Sequence, residues 1–414
     1  MNGYYLSSIT NAVPPPALSF LMPQTAEIER TTSDPTAVRT APTRDLYIDR
    51  LRTIMTAFVI LHHAAITYGA SGSWFYNELH VSGSLPSILL TLFVATNQAY
   101  FMGFFFLLAG YFTPRSLERK GYGRFIGDRF TRLGIPLLTF IFILGPLTVA
   151  MVAAHEGKGF WNVFPYLWNH AIIINGPLWF AQALLIFSVA YCAWRSAFGS
   201  PISQSSPMPR AVPAFAKWLL STILVGIASV AIRQFVPTGV NIIGLQLGYF
   251  APYIFLFAVG IAAWRYDWLR QLEWRHARPW IITLIAAWPV MPISIAIAMR
   301  VFPPGKANFG GGHTWPAIMY AFWDPFVSWG LIAAWLLIAR AYMNKPSALW
   351  SWLNRRAYAV FIIHPPVLVG ISLLLQPLVA PAILKFVITG TLSCIATWLI
   401  ADPLVRTPVI RRIV

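Results

Sequence analysis

Four ionisable side chains stand deep inside the apolar stretches of this sequence: His62, His63, Asp324 and His364. Charge in hydrocarbon is costly and is kept where it has a partner or a function, so these four point to the working centre of the chain. The first pair follows Asp49-Arg50-Leu51-Arg52 and Thr56. Arg52 and His63 are 11 residues apart, three helical turns to within about 20°, so they share one helix face. Asp49 and Thr56 continue that stripe, while His62 points about 100° away. A neutral imidazole can take a proton from a hydroxyl, which is what a general base needs near neutral pH. Histidines that only bond a neighbouring helix have the same type and depth. Asp324, which precedes Pro325, suits a structural partner at a helix break as well as a catalytic role.

A second group lies between Arg115 and Pro136. Arg129 and Arg132 are i,i+3 and project together from a short helix, with Arg124 nearby. Paired guanidiniums match a phosphate or diphosphate; the alternative is that they anchor topology and anionic lipid. Cys192 and Cys394 are isolated in apolar segments. They form no spacing that reads as a metal site or a disulfide framework, so packing roles and no metal are expected.

The elements that must hold these residues are membrane helices. The chain is 57% hydrophobic and 10% charged, with 18 Trp and 16 Tyr, against roughly 45–50% and about 25% in a soluble domain. Ten spans are expected near 50–70, 86–112, 133–154, 177–197, 213–236, 247–265, 279–300, 315–341, 357–376 and 380–401, each near or above the roughly 20 residues a bilayer needs. Alternate connections, with the N-terminal segment, hold 25 of the 30 Lys and Arg; the other side holds Lys158, Arg233, Arg300, Lys306 and Lys385. The positive-inside rule then puts both termini in the cytoplasm. This placement accounts for the net charge of +17 without a nucleic-acid partner.

The fold class expected is an all-α integral membrane protein of about ten transmembrane helices. It comprises one domain over 44–414, preceded by a disordered cytoplasmic tail over 1–43 that is polar and proline-rich. Residues 1–22 lack a basic n-region, so no signal peptide is expected. Residues 199–213 read as a cytoplasmic linker and 302–316 as an outer loop. The glycines 310–312 lack the strand–helix context of a phosphate cradle. In this frame Arg52 sits at the inner interface and His63 roughly 16 Å further in, with His364 about 10 Å deep. Asp324, nine residues past Trp315, also falls near mid-depth.

Taken in order, these residues resemble acyltransferase family 3, the polytopic acyltransferases of bacterial surface carbohydrates. Asp49-x-Leu51-Arg52 with His63-Ala64 is similar to the family's opening motif, and Phe104 to Phe112 to its FF-x-L-x-G-[FY] stretch. Arg129-x-x-Arg132 with Pro136 resembles its R-x-x-R. Gly176-Pro177-Leu178-Trp179-Phe180 looks like its H-L-W-F, and Tyr358 to Pro365 like its Y-x-x-x-x-x-H-P. Phe257 to Gly260 and Asp402-Pro403 are weaker matches. The resemblance covers 45–412, and together the motifs are specific.

Three departures stand out. Pro177 replaces a His of many members, and His62 stands where Tyr or Phe is common, leaving open which imidazole acts. No esterase-like domain follows the last span, so the chemistry is expected within the membrane domain. The resemblance implies transfer of an acyl group, acetyl or succinyl, from cytoplasmic acyl-CoA to a hydroxyl of a carbohydrate or glycolipid presented from the other side. It implies a bacterial inner-membrane location, with membrane lipid around the chain. Arg129, Arg132 and Arg124 would hold the CoA phosphates, and His63, Arg52, Asp49, His364 and Asp324 are the candidate catalytic residues. Direct transfer and an acyl-histidine route both remain open, and the oligomeric state is not legible. The rival reading is a proton-coupled transporter or exporter using the midplane His and Asp. Against it stand the lack of paired halves and the single deep carboxylate. A lipid-binding scaffold would leave the Arg52–His63 stripe without a purpose.

Overall fold

A computed structural model of the chain describes residues 45–79, 83–170, 172–198, 208–303 and 306–413. The tail expected over 1–43 and residues 199–207 of the expected linker lie outside the described residues. Ten long helical segments are present among the described residues, in the expected places. They are α1 (Leu46–Thr67), α2 (Leu85–Lys120), α3 (Tyr122–His155), α5 (Gly176–Phe198), α6 (Phe215–Phe235), α7 (Leu247–Arg265), α8 (Trp274–Val301), α9 (Trp315–Tyr342), α11 (Ala357–Leu374) and α12 (Ala382–Arg406). Shorter helices lie between or after them, among them α4 (Phe160–Asn169) and α10 (Ala348–Asn354). The described residues contain no strand, only an isolated bridge between Ile242 and Leu245.

Nine of the ten are long and apolar enough to cross a membrane, which makes this an all-α integral membrane protein. The exception is α1. Its 22 residues reach about 33 Å, but Asp49, Arg50, Arg52 and two histidines dilute its apolar character. Its neighbours explain how such a helix is tolerated: α1 packs against α2, α9, α11 and α12, so its polar stripe faces protein rather than lipid.

Two devices set the distances between helices. Glycines on α2 and α7 face each other, and a Cβ at Gly110 would run into the Phe257 carbonyl while one at Gly260 would meet that of Leu107. These two helices therefore need glycine in order to touch. Prolines supply the second device. Proline has no N–H, so the carbonyl four residues earlier loses its helical partner. In α3, Pro136 and Pro146 free Arg132 and Phe142, and the helix widens into π turns over Phe130–Gly134 and Phe140–Leu144. Both carbonyls are answered from elsewhere. The Tyr358 hydroxyl donates to Arg132 O at 2.6 Å, and Trp168 Nε1 donates to Phe142 O at 2.7 Å.

The arginine-rich end of α1 is anchored by polar contacts. Buried Arg50 donates to the Lys345 carbonyl and lies over the Trp350 ring, and Thr53 Oγ1 donates to Asn354 Oδ1 at 2.7 Å. Beside it, Asp402 accepts from Arg356 Nε at 2.6 Å and pairs with Arg406, fastening α12 to the start of α11. The Asp402-Pro403 pair of the sequence thus acts as a clasp between helices.

Candidate active site

Three parallel rings form the centre. His63, on α1, stacks on Trp74 with ring centroids 3.8 Å apart and planes at 14°. His364, on α11, lies 5.5 Å from His63 at 12° and 6.0 Å from Trp74 at 8°. His62 meets His63 edge-on at 5.3 Å and turns its face to Phe101 of α2 at 5.1 Å. The 100° separation of adjacent helical residues therefore sends the two imidazoles to different neighbours: His63 to the second histidine, His62 to an apolar ring.

The His364 tautomer follows from the chain. Pro365 removes the N–H that would have bonded the Phe361 carbonyl, and His364 Nδ1 takes its place at 2.8 Å. A carbonyl only accepts, so Nδ1 carries the proton and Nε2 keeps its lone pair. That Nε2 is buried without a protein partner, as is His63 Nδ1. His62 Nδ1 is buried in the same way, so among the described residues three imidazole nitrogens without a protein partner stand in the centre of the bundle.

Trp74 was not legible as a site residue. It arrives on the loop that follows α1, at the end opposite the arginines. Glu78 N and Leu79 N both donate to Thr67 O, at 2.9 and 3.4 Å, folding this loop back onto the helix end. Lys385 of α12 pairs with Glu78, and the Tyr68 hydroxyl bonds Thr389 Oγ1 at 2.8 Å. Burial, and next the Glu78 carboxylate, push the Tyr76 phenol up to about 12, so it stays neutral.

The other end of the stripe carries the cations. Arg52 lies 3.7 Å from Asp49, with its guanidinium 4.7 Å from the Phe112 ring centre. Arg129 sits over Phe125 at 4.8 Å and within electrostatic reach of both Arg132 and Arg52. Asp128 pairs with Arg132 at 3.2 Å and Lys120 at 2.7 Å. Arg129 Nε is buried with no protein acceptor, and Arg124 is exposed at the start of α3. Arg52, Arg129 and Arg132 are thus gathered from two helices.

Asp324 is elsewhere. Its Oδ2 accepts from Arg233 Nη2 at 2.6 Å, and both side chains are buried, at 5% and 1% exposure. Arg233 Nε donates to Gly248 O at 2.9 Å, and its guanidinium lies over the rings of Tyr249 and Tyr320. Arg233, counted from the sequence among the cations of the outer side, lies in the last turn of α6 with its side chain buried, and so adds a charge to the four deep groups. Its position near the end of an apolar stretch hid this, and its partner is 91 residues away. Among the described residues no group of His, Cys, Asp and Glu has the arrangement to hold a metal ion.

Comparison with known proteins relates most of the chain to a family. A family model described as an acyltransferase domain (Acyl_transf_3) matches residues 45–402. Similar curated proteins include "Glucans biosynthesis protein C" of Salmonella schwarzengrund (strain CVM19633) and of Salmonella heidelberg (strain SL476). Each is 28% identical over 229 residues, covering 52% of this chain and 58% of the relative. The protein of the same name from Salmonella typhi is 27% identical over the same extent. The match therefore spans 58% of the length of these curated relatives. No solved structure matches.

Proposed function

The chain belongs to the acyltransferase-3 family, whose model covers residues 45–402, and from that premise we propose that it moves an acyl group from cytoplasmic acyl-CoA to a carbohydrate hydroxyl presented from the other side of the bacterial inner membrane. The observation that carries this reading is the parallel His63–His364 pair, at 5.5 Å, in which His63 belongs to the same helix as Arg52. In this reading both termini are cytoplasmic, α1 also crosses the membrane and brings the spans to ten, and the functional domain is 44–414.

Arg129 and Arg132, with Arg124 at the rim, hold the CoA phosphates at the inner face. The pantetheine arm runs along Arg52 and Thr56, placing the thioester near His63. His63 takes the proton of the acceptor hydroxyl as the oxygen attacks the thioester carbonyl. The C–O bond forms, the C–S bond breaks, and the thiolate leaves to be protonated as CoA-SH. His63 gives the proton it took to the leaving thiolate, His364 Nε2 accepts from a hydroxyl of the acceptor and holds it, and Arg52, oriented by Asp49, offsets developing negative charge. The relatives' name points to a glucan acceptor, and the acyl group we propose is acetyl or succinyl. The rival transporter reading needs Asp324 to load and release protons, and its Arg233 clamp speaks against that.

The test is label transfer from radiolabelled acetyl-CoA and succinyl-CoA to glucose oligomers by the purified protein. Transfer that disappears in His63→Ala supports the reading; transfer equal in that variant and the wild type removes His63 from the chemistry.

A further inference from the structure

The loop bearing Trp74 carries polar atoms that its own fold does not use. Trp74 Nε1, Asn77 Oδ1 and Glu78 Oε2 are all buried, and none has a partner among the described residues. Buried polar atoms are nearly always hydrogen-bonded, so three such atoms within five residues require an explanation. The loop backbone is already pinned through Glu78 N and Leu79 N, so these side chains are not needed to close it.

The Glu78 carboxylate is held in one orientation. Its Oε1 takes Lys385 Nζ, which also donates to Gln376 O at 3.3 Å and lies 5.7 Å from the Tyr68 ring centre. The Lys385 side chain is 3% exposed and that of Glu78 12%. Oε2 is thereby left facing away from the lysine, with the charge of the pair compensated. Four residues earlier in the same loop, Trp74 lies on His63 at 3.8 Å. The loop thus offers one N–H donor and two oxygen acceptors without net charge, and Trp74 ties it to the histidine centre. An anion would meet the carboxylate and a cation would compete with Lys385. A neutral polyhydroxylated ring, whose hydroxyls both donate and accept, satisfies all three atoms.

We propose that Trp74, Asn77 and Glu78, with Lys385 holding Glu78, form the subsite for a neutral sugar ring of the acceptor and deliver its hydroxyl to His63. This assignment rests on the acyltransfer reading for its purpose, but its binding can be measured without it. The full-length protein in nanodiscs is titrated with a linear glucose oligomer by calorimetry, in the wild type, Asn77→Ala and Glu78→Gln. Size-exclusion profiles check folding, and Asn77→Ala carries the test if Glu78→Gln misfolds. The expected result is binding by the wild type that weakens at least tenfold in each folded variant. In the transfer assay, KM for the oligomer rises at least tenfold while KM for acyl-CoA stays within twofold. No binding by the wild type, or equal binding by all three, overturns the subsite. Variant-sensitive binding without any label transfer leaves the subsite standing and removes the acyltransfer reading. Transfer with an unchanged KM for the oligomer does the reverse.

Discussion

His364 Nδ1 stands 2.8 Å from the Phe361 carbonyl oxygen, an acceptor that exists because Pro365 follows. A helix without that proline would spend the carbonyl on its own N–H four residues later, and the imidazole would lose the contact that fixes its tautomer and ring plane. The His-Pro order therefore has a mechanical meaning: the proline frees the carbonyl that orients the histidine.

Pro365→Ala tests this. Alanine returns an N–H to the helix without enlarging the side chain. Kcat should fall by about tenfold, a part of the ~10²–10⁴ that general acid–base catalysis supplies, with KM nearly constant because no substrate contact is touched. Helicity and melting temperature should hold or rise. An unchanged kcat would show that the Phe361 contact is incidental.

His63 and His62 are adjacent but should behave differently. His63→Ala should lower label transfer by roughly 10²–10⁴, whereas His62→Phe, which keeps the stack on Phe101, should cost less than about tenfold because no proton-transfer role is lost. Single-turnover transfer of a labelled acyl group checks both, and a larger loss in His62→Phe would exchange their roles.

These differences mark how far the sequence could be read. Helical period placed Arg52 and His63 on one face, and hydropathy located the ten long segments, because both signals are local and repeat along the chain. Trp74 escaped because a loop has no period: its position depends on Glu78 and Leu79 folding back to Thr67, and among 18 tryptophans the type carries no signal. Arg233 was misplaced because a charge near the end of an apolar stretch reads as a boundary. The pairing of Arg132 O with Tyr358 is equally non-local, although Pro136 announced that some carbonyl would need a partner.

Arg129 offers a buried Nε without a protein acceptor, near Arg52 and Arg132. If it holds CoA phosphate, Arg129→Ala should raise KM for acyl-CoA by about 10- to 100-fold, the scale of a hydrogen bond to a charged group. The discriminating substrate is a truncated acyl thioester that lacks the nucleotide. Its KM should be unchanged in Arg129→Ala, since it offers no phosphate to lose. An equal rise with both thioesters would mean that Arg129 supports the fold or the thioester end instead.

Asp324 and Arg233 make the last prediction, since their geometry separates a structural from a catalytic carboxylate. Both are buried and 2.6 Å apart, so removing one strands the other charge inside the protein. Asp324→Asn should destabilise by about 3–5 kcal/mol, as broken buried pairs do, and lower the yield of folded protein. The double replacement Asp324→Leu with Arg233→Met removes both charges together, and replacing a buried pair by apolar groups is often neutral or stabilising. Its stability should return to within about 1 kcal/mol of the wild type. Activity per folded molecule should return with it, measured as label transfer normalised to the monodisperse fraction. A stable but inactive double variant would make Asp324 part of the chemistry after all, reached through the ring cluster of Tyr249 and Tyr320 rather than through the histidines.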